Sequence, residues 1–205
     1  MTVETISAEH GPKSFSREDL NRIGQLLADA ADEFSQHSCN DFTCIATSEN
    51  KALISSITHW QAEQEGVDAD PELLANVDET QSENEKIFAY DNRAMGYFAQ
   101  RCSVIATDAA GAAELSSAEL KMIIDLFDVM IDLREIDQEE RDLTVDYTLS
   151  PTDEQKRFVA DVIKRDADPG WERMVECVMQ SDDEISVLGI AIMRYYCDRC
   201  KELAH

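Results

Sequence analysis

The chain has 205 residues with 43 Asp and Glu against 18 Lys and Arg, a formal charge of −25. That charge opposes direct binding to DNA, RNA or anionic membrane, because like charge repels and no cluster of bases offsets it, and it favours basic partners. With 43% hydrophobic residues the composition is that of a globular protein with a packed core, which excludes disorder of the whole chain.

The 7 glycines and 4 prolines fall well below the average usage of about 12%, which points to helices rather than a turn-rich β domain. The expected fold is all-α, a single bundle of about seven helices over 16–205 behind a flexible leader, 1–15. Ser16 with Asp19 reads as a capping box, and Leu20, Ile23, Leu27, Ala30 and Phe34 recur at helical spacing, so a first helix is predicted over 16–36. Residues 36–46 read as a loop. Thr47 or Ser48 then caps a second helix with a stripe at Leu53, Ile57 and Trp60, ending near Gly66, and Pro71 starts a short helix to Val77.

A long third helix is predicted over 83–107, with Ile87, Tyr90, Ala94, Tyr97, Arg101 and Val104 on one side. Asp108 to Ala113 has little to bury and a glycine, which marks it as a hinge and a candidate sub-boundary at 108–115. Ser116 and Glu119 form a second capping box, opening a helix through Leu120, Ile123, Phe127 and Met130. Residues 143–149 alternate like a strand with no evident partner. Pro151 and Pro169 mark two further helix starts, the second with a stripe at Trp171, Met174, Val175 and Val178. A last helix over 182–203 carries Ile185, Leu188, Ile192, Tyr195 and Tyr196.

The most distinctive pattern is a row of acids. Asp125, Asp128, Asp132, Glu135, Glu139, Asp142 and Asp146 follow intervals of alternately three and four residues. On one continuous helix they share a face and extend over roughly 32 Å. Like charges at these spacings cost about 0.2–0.5 kcal/mol per pair, so the row carries a penalty that a binding role would explain. Two readings stand: the wet side of an amphipathic helix, or carboxylates placed to imitate a phosphate backbone for a basic, nucleic-acid-binding protein. In composition the chain is similar to small acidic inhibitors of host defence carried by phages or mobile elements, though no motif ties it to a family.

An immunity protein against a basic toxin predicts the same charge. A Mg-dependent, all-α nucleotide pyrophosphohydrolase is a further alternative, for which Asp132 with Glu135 and Glu139 with Asp142 have the spacing of metal-binding pairs. The pyrophosphohydrolase lacks a second acidic pair at a recognisable distance and bases to hold phosphate. Gly-x-Ser-x-Gly, His-Glu-x-x-His and Gly-rich phosphate loops are absent from the sequence, so no catalytic residue and no cofactor are assigned.

His37, Cys39, Cys44, Cys197 and Cys200 offer a zinc-ligand set, but a Cys-x-x-Cys pair inside a helical pattern fits buried thiols better. Cys102 and Cys177 lie on apolar stripes and read as core. Asp41 and Phe42, in the loop, are candidate partner contacts, an apolar anchor beside acidic surface, with an inward-facing Phe42 as the other option. The start of the chain shows no basic cluster followed by an apolar run, and a cytoplasmic location is the expectation.

Overall fold

The computed structural model describes residues 14–37, 41–80, 82, 85–109, 111, 113–141, 146–166 and 171–204. Among them the chain is all-α, with eight helices and two small two-stranded sheets. The helices are α1 (Arg17–His37), α2 (Ser48–Glu65), α3 (Pro71–Glu79), α4 (Asp91–Thr107), α5 (Ser117–Arg141), α6 (Asp153–Asp166), α7 (Trp171–Gln180) and α8 (Gly189–Leu203). The strands are β1 (Asp41–Ile45), β2 (Lys86–Tyr90), β3 (Asp146–Leu149) and β4 (Ile185–Leu188).

Helix entries follow the capping chemistry of the sequence. Ser16 N donates to Asp19 Oδ2 at 3.1 Å while Asp19 N donates to Ser16 Oγ at 3.1 Å, and Ser116 with Glu119 repeats the exchange ahead of α5. Thr47 caps α2, which ends at Gly66 in the left-handed region (φ 67°), where glycine carries no Cβ penalty. Asp70 caps α3 ahead of Pro71. Of the leader expected over 1–15, residues 1–13 lie outside the described residues, and Phe15 packs edge-on to Tyr196 at 6.3 Å.

The strands correct four expectations. Residues 41–45 are not loop: β1 pairs antiparallel with β2, Phe42 opposite Ala89 and Cys44 opposite Ile87. The helix predicted from 83 therefore begins at Asp91, because 86–90 alternate between buried and outer positions as a strand. Its inner face is Ala94, Met95, Phe98, Cys102 and Ile105, leaving Val104 exposed and Arg101 half-buried, one position round from the predicted stripe. The strand at the end of 143–149 does have a partner: β3 pairs with β4, whose residues the sequence spacing places on the last helix. That helix starts at Gly189.

One contiguous core runs from Leu20, Ile23 and Leu27 of α1 through Phe98, Ile123 and Phe127 to Met193 and Tyr196 of α8. The helix α1 lies close on α4. A Cβ placed on Gly24 would stand 3.1 Å from the Ala99 carbonyl oxygen, so the small residue sets the approach of the two backbones. The amphipathic α7 differs from expectation in burying none of its residues, with Met174, Met179 and Cys177 exposed.

Gly96 inside α4 has a packing reason. A Cβ there would lie 2.7 Å from Trp60 Cη2, and the indole is held in place by a hydrogen bond to Gln100 and an edge-on contact with Tyr97. Gly96→Ala is expected to lose about 1 kcal/mol of stability, since overpacking outweighs the helix-propensity gain of about 1 kcal/mol. In a Trp60→Leu background the same change is expected to stabilise by about 1 kcal/mol, which urea unfolding of the four variants measures.

Candidate functional site: the acidic face of helix α5

The helix α5 is fixed from within. Leu120, Met122, Ile123, Leu126, Phe127 and Met130 are buried, and the capping box holds its first turn. On the side of this stretch turned away from those residues, Asp125, Asp128 and Asp132 are exposed. Glu135 and Glu139 lie further along the same helix, in the same three-and-four register. The row does not reach Asp146 on one helix, because Asp146 opens strand β3; α5 is described to Arg141 and Asp142 lies outside the described residues. Among the described residues the helical row, from Asp125 to Glu139, spans about 21 Å.

The three described carboxylates differ in their surroundings. Asp128 is engaged within the protein: Cys197 Sγ donates to its Oδ1 at 3.2 Å and Lys201 Nζ stands 3.9 Å from it. Beside it, α5, α6 and α8 form a groove of about 340 Å³ lined by Ile131, Val162 and Ala191 and by the cations Arg165, Arg194 and Lys201. Asp125 has its carboxyl pushed above the usual range, first by partial burial and then by the charge of Asp128.

At 100° per residue, Asp128, Asp132, Asp125, Val129 and Leu133 follow one another around α5 over about 140°. Val129 and Leu133 are apolar side chains left exposed, each at 38%, on the flank of the row away from Asp128. They were not singled out in the sequence. The signal was present, since 129 and 133 are an i, i+4 pair off the core stripe, but it was masked by the carboxylates around them.

The other candidates separate. Asp41 is exposed at the start of β1, whereas Phe42 is buried and packs into the core, so it does not form the surface anchor considered above; Ile45, two strand positions beyond Thr43, is exposed instead. Of the zinc set, His37 ends α1, Cys39 lies outside the described residues, and Cys44, Cys197 and Cys200 are buried. Their thiols are pushed up, Cys44 and Cys197 to about 11, chiefly by burial, with Asp125 adding to the first and Asp128 to the second. Such thiols are poor nucleophiles at neutral pH. Among the described residues no three His, Cys, Asp or Glu side chains come together as a metal site. Cys177 is exposed on α7 and is not core.

Fold and surface together define an all-α chain with an acidic helix face. No protein-family model, curated protein or solved structure matches it. Among the described residues no helix is long and apolar enough to cross a membrane.

Proposed function

We propose that this chain is a non-enzymatic binding protein that inhibits or regulates a basic, nucleic-acid-binding protein by presenting carboxylates where that partner otherwise holds phosphates. The observation that carries the reading is the exposed row Asp125, Asp128 and Asp132 on a helix whose opposite side is locked in the core. A rigid backbone keeps the charges in place without an ordering cost on binding. The net charge of −25 adds long-range steering toward a basic surface, and both contributions weaken with salt.

Magnitudes limit the mimicry. Carboxylates every 3.5 residues give one charge per about 5 Å of helix, whereas duplex DNA carries one per about 1.7 Å. The row therefore offers about a third of the duplex charge density.

The experiment is affinity capture from source lysate at low and high salt, with identification of the captured protein and a repeat with Asp132→Lys and Glu135→Lys combined. These positions are chosen because Asp128 has contacts inside the fold. Expected is a basic nucleic-acid-binding partner, released by salt and lost at least tenfold on charge reversal. Capture that is indifferent to ionic strength, or that survives the reversal, overturns the proposal.

A further inference from the structure

The α5 face is not acidic alone. Val129 and Leu133 lie one helical turn apart and are exposed, although the same helix buries Leu126, Phe127 and Met130 on its inner side. Lining one flank of the Asp125 and Asp132 positions, they make a surface with an apolar edge and a negative edge. The other flank, at Asp128, is taken up by Cys197 and Lys201 of α8.

We infer that this face docks a cationic amphipathic helix of the partner, with apolar side chains seated on Val129 and Leu133 and Lys or Arg side chains set against Asp125 and Asp132. The inference rests on the acidic-face reading and specifies its partner chemistry. Charge complementarity selects the occupant: a second copy of this chain would set carboxylate against carboxylate, and a neutral apolar segment would leave the acids unanswered. The diluted charge of the row points the same way. A partner that binds phosphates more densely spaced than these carboxylates gains less from charge here, and apolar contact supplies what charge does not.

The test uses the full chain and two synthetic peptides of equal length and equal positive charge. One is built of Leu and Lys at amphipathic helical spacing, and the other has Ser in place of every Leu. Titration calorimetry is expected to show the Leu–Lys peptide binding about tenfold more tightly, the value of about one well-seated side chain. Val129→Gln with Leu133→Gln is expected to abolish that preference while leaving Ser–Lys binding unchanged; Met174→Gln with Met179→Gln, on the exposed apolar side of α7, is expected to preserve it. Equal binding of the two peptides, a preference that survives the Val129 and Leu133 changes, or its loss on the Met174 and Met179 changes overturns the inference. Asp125→Asn with Asp132→Asn separates the levels: if Ser–Lys binding is unaffected, the acidic-face reading falls together with this one; if it drops while the Leu preference is missing, only this one falls.

Discussion

Arg101→Ala is expected to lower the unfolding free energy by about 3 kcal/mol, seen as a fall in the urea midpoint at unchanged slope. Arg101 Nε donates to Glu119 Oε1 at 2.8 Å, and the Glu119 side chain is only 7% exposed. Its other oxygen accepts from Ser116 N at 2.7 Å and closes the cap of α5. The pair thus joins α4 to the first turn of the helix that carries the acidic row. Removing the guanidinium leaves a buried carboxylate held by the cap alone without a countercharge, and an unpaired buried charge costs far more than the intact pair contributes. Glu119→Gln in the Arg101→Ala background keeps a cap acceptor and removes the charge, so it is expected to recover about 1 kcal/mol or more. If the double variant is no more stable than Arg101→Ala, the loss came from the packing of the arginine stem and not from the stranded charge.

The same interaction shows how far the sequence could be read. Both capping boxes, the Thr47 and Asp70 caps and the Gly66 stop are local chemistry, and each marks a helix end within a residue or two. Arg101, placed on an apolar stripe by spacing alone, is there for a carboxylate eighteen residues away, which a periodicity count does not register.

Strands were harder for a related reason. The chain passes from β2 into α4 at Tyr90 with no side-chain cap, so nothing local separates strand from helix. Ile185, Leu188 and Ile192 have helical spacing by coincidence, while the pairing of β4 with β3 is a contact between distant segments. Phe42 and Cys44 alternate with Asp41, Thr43 and Ile45, a period-two signal over only five residues. At the candidate site, the register of the acids on α5 was legible from spacing. The passage of Asp146 into strand β3 was not, because the acid intervals run on to it without a break. The exposure of Val129 and Leu133 was equally hidden, since it depends on which side of α5 its neighbours cover.

Phe158→Ala is expected to cost about 4 kcal/mol, the usual range for deleting a buried ring. Phe158 of α6 stacks on Tyr196 with centroids 5.8 Å apart, meets Tyr195 edge-on at 5.5 Å, and lies under the Arg22 guanidinium of α1 at 4.0 Å. Around it Tyr196 Oη donates to Asp19 Oδ1 at 3.1 Å, and Gln155 bridges Arg22 and Glu18. One ring therefore ties α6 and α8 to the first helix, across the segment 108–113 that reads as a hinge. If the contiguous core unfolds as a unit, damage at Phe158 must be felt at Trp60 on α2, in the other half of the chain. In a Trp171→Phe background, which leaves Trp60 as the reporting indole, Phe158→Ala is expected to shift the fluorescence midpoint and the far-ultraviolet dichroism midpoint equally. A Trp60 transition that stays at its original midpoint while dichroism falls early would place a true domain boundary at 108–115, and the α1 contacts of Phe158 would then be an interface between two separately folding parts.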